Sequence, residues 1–303
     1  MTLSDTKPWW QGSFGYQIYI RSFADSNNDG YGDFQGIRSK IPYLKDLGID
    51  FLWITPFYPS PMADWGYDVA EYCDIDSTFG NLDDFDALVG QAHESGIKIV
   101  ADLVPNHTSD QHKWFKEARK GPENEFRDYY IWKDPAPDGG PPNNWVAYFG
   151  GPAWTFDETS GQYYMHLFLP EQPDLNWRNP KILEEFDQIL RFWLERGVDG
   201  FRIDVAGGLM KDEQFRSNPE ITPWDPEGDR WEQFESFEHR YDIFQEDNHE
   251  IFRRWRSIFD EHGAYLHGET YILEPSGLAE LLPGDGLHGG FWFEPMHIEW
   301  DPD

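Results

Sequence analysis

The sequence predicts an α/β fold of the TIM (β/α)8-barrel type, incomplete at about six strands and carrying an inserted subdomain after the third. Three observations predict it. From residue 15 onward short β-rich runs alternate with amphipathic stretches, the pattern of repeated strand–helix units. Three of those runs carry a carboxylate near the tip: Asp102-Leu-Val-Pro-Asn106-His107, Gly200-Phe-Arg202-Ile-Asp204 and His267-Gly-Glu269-Thr270. The C-terminal ends of parallel strands share one face, so these carboxylates converge there. The alternation lapses between residues 107 and 170, a stretch too long for an ordinary connection.

Residues 15–20 (GYQIYI) read as the first strand. Residues 34–47 place Phe34, Ile37, Ile41, Leu44 and Leu47 at helical spacing and stop at Gly48. The second strand is expected at 49–55. A helix follows at 81–95, with Asn81 as N-cap, acids in its first turn and Gly96 as its stop. Residues 97–103 are almost continuously apolar, as a strand buried on both faces should be. The segment 107–170 is rich in Pro, Gly, Asn and aromatics and reads as the inserted subdomain. The repeat resumes with a helix at 180–196, a strand at 199–204, a long helical region ending near His262, a strand at 264–269 and a sixth strand at 287–293. The organisation expected is therefore 1–106 as the first part of the barrel, 107–170 as the insertion and 171–303 as its continuation, stopping before strands seven and eight.

At 39% apolar content the 303 residues can bury a large core. The net charge of −32 excludes a nucleic-acid partner, because a phosphate-binding surface is basic. That acidity fits either adaptation to high salt or an ordinary acidic enzyme, and the dependence of stability on added salt separates the two. A single cysteine, Cys73, rules out internal disulfides, and no run is long and apolar enough to span a membrane. A soluble, cytoplasmic protein is expected. Aromatics reach 17% with 15 Trp, mostly core packing, although ring faces also suit the C–H faces of a sugar.

The converging carboxylates point to chemistry on a carbohydrate. Cleavage of a glycosidic bond uses two carboxyl groups, one ionised and one protonated, facing each other across the scissile bond. Asp204 lies two residues beyond Arg202, so in a strand both point to one face. There the guanidinium is expected to keep Asp204 ionised by lowering its pKa, whereas Glu269 has to hold a proton near neutrality. The alternative is an ordinary strand-end ion pair. Separately, Asp25, Asn27, Asp29 and Asp33 occupy positions 1, 3, 5 and 9 of a loop with Gly30 at position 6 and the Tyr31 carbonyl available, a spacing that suits a hard cation. Gly36 stands where an EF-hand has its bidentate Glu, and the alternative is a solvated loop of Asx turns.

Taken together, these strings resemble glycoside hydrolase family 13, the α-amylase family, and most closely its oligo-1,6-glucosidase and α-glucosidase branch. The resemblance runs from Trp9 to about Trp300. Gln17-Ile-Tyr-Ile-Arg-Ser-Phe23 is similar to the family's first strand, Gly66-Tyr67-Asp68-Val69 to its loop after the second, and Gln172-Pro-Asp-Leu-Asn176 to the sequence that marks the branch. The resemblance implies Asp204 as nucleophile and Glu269 as general acid/base of a retaining reaction on short α-linked gluco-oligosaccharides, α-1,6, α-1,4 or both. It implies hydrogen bonds from Asp68 and His107 to sugar hydroxyls, stacking by Tyr67, a supporting place for Asp102 near Asn106 and Arg202, and a structural Ca2+ or Mg2+ at residues 25–33. No organic cofactor is implied. Val205 after the nucleophile resembles enzymes acting on α-1,6 linkages.

One family element is missing. A fourth region, a His-Asp pair at the end of the seventh strand, supplies a third carboxylate, and none of His288, His297, Asp285, Asp301 or Asp303 sits in such a pair. Two functions therefore remain from the sequence: a retaining α-glucosidase or related transglucosylase such as a trehalose synthase or sucrose isomerase, and a catalytically incomplete barrel fragment completed by a partner chain or a further C-terminal segment.

Overall fold

Strand-forming runs separated by capped helices produce one parallel sheet, in the order β1 (Gly15–Ile18), β2 (Phe51–Ile54), β3 (Lys98–Leu103), β7 (Gly200–Ile203), β8 (Tyr265–Gly268) and β9 (Gly289–Gly290). The computed structural model describes residues 7–271, 275–282, 284–296 and 298. Between β3 and β7 a second, antiparallel sheet runs β4 (Trp132–Lys133), β6 (Gln162–Met165), β5 (Trp154–Asp157). The helices are α1 (Ile20–Phe23), α2 (Phe34–Asp46), α3 (Leu82–Glu94), α4 (Lys113–Ala118), α5 (Pro180–Glu195), α6 (Arg230–Glu235), α7 (Asn248–His262) and α8 (Pro275–Leu281).

Local chemistry sets the helix ends. Asn81 caps α3 by accepting from the backbone N–H groups of Asp83 and Asp84, while Asp84 returns a bond to the N–H of Asn81. Asp33 caps α2 through the N–H of Gly36, and Asn179 caps α5, whose first residue is Pro180. The apolar stripes Ile37, Ile41 and Leu44 of α2, Phe85, Leu88 and Ala92 of α3, Phe186, Leu190 and Trp193 of α5, and Phe252, Trp255 and Phe259 of α7 all pack in the main core.

The sheet register decides what faces inward. Asp102 is paired with Arg202, and Arg202 with His267, while Ala101, Phe201 and Leu266 form the adjacent row. Side chains alternate along a strand, so the second row joins the helices in the apolar core and the first points to the concave side. The sheet curls. Trp53 on β2 reaches Phe291 just after β9, ring centroids 5.6 Å apart, and Trp9 touches both Phe51 of β2 and Tyr265 of β8. Among the described residues β9 does not pair with β1, so six strands leave the barrel open. The inner row borders a cavity of 250 Å³ lined in part by Gln17, Trp53, Arg202, His267 and Phe291.

Three expectations need correction. The first strand ends at Ile18, because Ile20 already begins α1. The stretch before His262 is not one long helical region: residues 209–247 are largely irregular, with only α6 inside them, and α7 supplies the regular helix. Its irregular part follows the insertion rather than a helical period, since Asn143 and Trp145 donate to the carbonyls of Phe215 and Arg216, and Asn144 and Asn218 bond reciprocally. The sixth strand shrinks to Gly289–Gly290, a glycine pair with little side chain to pack.

The antiparallel sheet and that excursion share an apolar cluster of Ile131, Trp145, Trp154, Met165, Leu167 and Ile243, with Phe215, Phe234 and Tyr241 packed on it. Together they cover the C-terminal side of the sheet. Among the described residues no helix is long and apolar enough to cross a membrane.

Candidate active site

Arg202 gathers the carboxylates. Its Nη1 donates to Asp102 Oδ1 at 3.0 Å and to Asp204 Oδ1 at 2.5 Å, and its Nη2 lies 2.7 Å from Glu269 Oε1. Asp102 also accepts from Trp53 Nε1 at 2.9 Å and from the Tyr67 hydroxyl at 3.4 Å. The guanidinium stands beside the Trp53 and Tyr67 rings, 5.1 and 5.8 Å from their centroids. Asp102, Arg202 and Asp204 are buried and Glu269 is half-buried. Asp102 is thus held by Arg202 and Trp53; the expected tie to Asn106 is not made, because Asn106 bonds His107, Asp174 and Lys211 instead.

The strand after Arg202 ends in a strained turn that links the two carboxylates implied for catalysis. Val205 has φ 46°, a left-handed conformation that β-branched residues rarely adopt. This aims its N–H at Glu269 Oε2, 3.0 Å away, while the Ala206 N–H donates to the Glu269 carbonyl. Glu269 is therefore positioned by the residue that follows Asp204.

Charge in this cluster departs from expectation. Arg202 pulls Asp204 toward the ionised form, but burial pushes its carboxyl up more strongly, and the Glu269 and Asp102 charges add to that push. The result is a raised, not a lowered, proton affinity. Burial likewise pushes Asp102 up to about 6 against the pull of Arg202. One guanidinium shared among three carboxylates cannot neutralise them all.

The remaining candidates converge on the same face but are turned into the protein. Asp68, fully buried, accepts from Ser60 Oγ and from the N–H groups of Ala63 and Asp64, closing the loop that carries Tyr67. His107 is also buried, and burial lowers its pKa to about 4, so it is a neutral imidazole. Its Nε2 meets the Tyr67 carbonyl at 3.1 Å and Gln172 Nε2 at 2.9 Å, and its Nδ1 meets Asn106 Nδ2 at 3.2 Å. Tyr67 is half-buried, its ring beside Arg202.

The 25–33 loop lies apart from this cluster. Asp25 accepts from the N–H groups of Asn27, Asn28 and Gly30, Asn27 from that of Asp29, and Asp29 from that of Tyr31. Asp33 is occupied by Ser26 and by capping α2. The oxygen-only donor set suits a hard cation. Among the described residues, however, no group of three or more acidic, His or Cys side chains is gathered as around a metal.

Sequence reasoning missed Lys211. Its ammonium, 3% exposed, lies 2.6 Å from Asp174 Oδ2 and donates to Asn106 Oδ1 at 2.9 Å and to the Gly208 carbonyl at 2.5 Å. Asp174 Oδ1 accepts from Asn106 and from the Leu167 N–H. One buried charge therefore ties the loop after β3, the end of the insertion and the loop after β7. A lone Lys closing the apolar run Gly207-Gly-Leu-Met210 was the available signal.

The chain is 49% identical over 270 residues to an alpha-glucosidase of Culex pipiens, covering 89% of this chain and 45% of the relative. It is 56% identical over 203 residues to an oligo-1,6-glucosidase of Heyndrickxia coagulans, covering 67% and 37%. Solved structures include an alpha-glucosyl transfer enzyme at TM-score 0.91 and 43% identity, covering 95% of this chain and 55% of that one. A trehalulose synthase matches at TM-score 0.86 and 40% identity, covering 95% and 50%. The chain spans about half the length of the curated relatives it matches. The family model described as the alpha amylase catalytic domain matches residues 17–300, and the chain belongs to that family.

Proposed function

We propose that this chain carries the nucleophile and the acid/base of a retaining α-glucosidase acting on short α-1,6- or α-1,4-linked gluco-oligosaccharides, with Asp204 as nucleophile and Glu269 as acid/base. The observation that carries the reading is the bridging of both carboxylates by one guanidinium. Such bridging favours the close spacing of about 5–5.5 Å used by retaining enzymes over the wider spacing that admits an inverting water. In the first step Glu269 gives its proton to the leaving oxygen as Asp204 bonds to the anomeric carbon. In the second, Glu269 takes a proton from water, whose oxygen displaces Asp204. If a sugar hydroxyl replaces water, the same intermediate gives transfer, the reaction class in the names of two structural neighbours.

Tyr67 supplies a ring for the first sugar, and Asp68 and His107 reach its hydroxyls by exchanging their internal bonds. A structural Ca2+ or Mg2+ at residues 25–33 belongs to the same proposal and rests on the oxygen donors alone. Calcium titration by calorimetry tests it, and heat equal to that of Asp25→Ala refutes it. A cytoplasmic location is proposed from the absence of any possible internal disulfide.

The open six-stranded sheet favours a second reading, a catalytically incomplete piece. Release of p-nitrophenol from its α-glucoside by the purified chain decides between them. Turnover abolished by Asp204→Ala and by Glu269→Ala supports the enzyme. A folded chain without turnover supports the incomplete piece.

A further inference from the structure

His107 is a neutral imidazole with one ring proton, and the nitrogen that holds it decides which end of the ring donates and which accepts. Three groups face the ring nitrogens, and their demands conflict. The Tyr67 carbonyl, 3.1 Å from Nε2, can only accept and requires the proton on Nε2. Asn106 Nδ2, 3.2 Å from Nδ1, can only donate; it requires a bare Nδ1 and so the same tautomer. Gln172 Nε2, 2.9 Å from His107 Nε2, can also only donate and favours the opposite tautomer.

Both amides are themselves held in one orientation. Gln172 Oε1 accepts from the Leu169 N–H and its Nε2 donates to Asp64 Oδ2, so turning that amide over loses both bonds. Asn106 is bracketed by the ion pair of Lys211 and Asp174. Lys211 Nζ, a donor without acceptor capacity, stands 2.9 Å from Asn106 Oδ1, and Asp174 Oδ1, a carboxylate oxygen, stands 3.0 Å from Asn106 Nδ2. Turning this amide over would set oxygen against carboxylate and N–H against ammonium. Its nitrogen therefore faces His107, and Nδ1 is left to accept. With the proton on Nε2 two of the three contacts are made, and with it on Nδ1 only the Gln172 contact is. Asn106, His107, Gln172, Asp174 and Lys211 are all buried, where each such bond counts for more than it does in water.

We propose that Lys211 is a positioning residue for His107: with Asp174 it locks the Asn106 amide, which keeps the imidazole proton on Nε2. Resting on the glucosidase reading above, this makes Nε2–H the group that donates to a sugar hydroxyl when the sugar takes the place of the Tyr67 carbonyl.

The test is the position of that proton, read without sugar and near neutral pH from the ring-nitrogen NMR shifts of the histidine-labelled chain, with His107 assigned by its loss in His107→Gln. The unmodified chain should show a protonated Nε2 and a bare Nδ1. Lys211→Met combined with Asp174→Asn removes both brackets without stranding a charge. The Asn106 amide is then free to turn, and the ratio of Nδ1–H to Nε2–H should rise at least about fivefold, the factor one net hydrogen bond makes. Asn106→Asp sets an acceptor against Nδ1 and should draw the proton there; it serves if a thermal melt shows the double variant unfolded. A proton on Nδ1 in the unmodified chain, or a ratio unchanged in the folded variant, overturns the proposal, since a purely structural Lys211 would change stability and leave the tautomer alone. Methyl α-glucoside titrated into the same samples tests the reading beneath it. Binding weakened by about fivefold as Nε2–H is lost supports the donor role. An unmodified chain that binds no methyl α-glucoside refutes the sugar site, while the spectra recorded without sugar still decide the tautomer.

Discussion

Replacing Lys211 by Met keeps an unbranched chain of similar volume and deletes one buried ammonium. Asn106 Oδ1 and the Gly208 and Leu209 carbonyls lose their donor, and Asp174 Oδ2 loses its ion-pair partner. Asp174 is fully buried and keeps only the two bonds to its Oδ1, so Oδ2 becomes a negative oxygen with no partner. Removing one member of a buried ion pair costs about 3–5 kcal/mol, because the other charge stays desolvated. With a urea slope of about 3 kcal/mol/M, the upper end of the usual range, the midpoint should fall by about 1–1.7 M. Adding Asp174→Asn removes the stranded charge, so the double variant should be more stable than the sum of the single losses predicts. Urea unfolding of the four chains measures both quantities. A fall below about 0.3 M for Lys211→Met, or additive losses in the double variant, refutes the claim that this pair ties the three loops together.

Other perturbations test separate parts of the structure. Burial holds His107 at about 4, below the ordinary value near 6.5, so the unfolded chain binds more protons between those values and stability falls as pH drops through that window. His112, His267 and His288, lowered by burial to about 3, about 4 and about 4, act the same way, while Asp102, raised to about 6, and Asp204, raised well above the usual carboxylate range, oppose them by binding protons in the folded state. Thermal melts from pH 7 to pH 4 should therefore show a net loss; a flat profile would sink the assignment of neutral, buried imidazoles. Arg202→Lys retains one charge but cannot span three carboxylates, and turnover, where the chain has it, should fall by at least about a hundredfold, with near-normal turnover rejecting the bridging role. Asn81→Ala removes both capping bonds to α3 and should cost about 1 kcal/mol in urea unfolding, an unchanged midpoint arguing against the cap.

Much of the framework was legible because it is written in local patterns. The period of Ile37, Ile41 and Leu44, the cap at Asn81 and the apolar run before Asp102 each specify an element without reference to distant residues. That Asp204 and Glu269 would meet was legible for a related reason: parallel strands deliver the residues at their C-terminal ends to one face. Residues 209–247 were not legible, because their hydrogen bonds go to Asn143, Asn144 and Trp145, some 70 residues earlier, and no local period encodes such a partnership. The same holds for Phe244, whose place depends on the missing Cβ of Gly207 and not on any spacing around itself.

The expectation for Asp204 failed for an instructive reason. A strand places Arg202 and Asp204 on one face, and that neighbourhood by itself lowers the carboxyl's proton affinity. What the strand does not reveal is how many other carboxylates the same guanidinium must serve. Asp102 arrives through the register with β3 and Glu269 through the end of β8, so the charge ratio becomes three to one only after the sheet is assembled. Burial then raises Asp102 and Asp204 together, and the cluster as a whole has a greater appetite for a proton than either strand would have alone. The guanidinium fixes the positions of all three carboxylates, and their excess over the one cation raises the proton affinity of the buried pair.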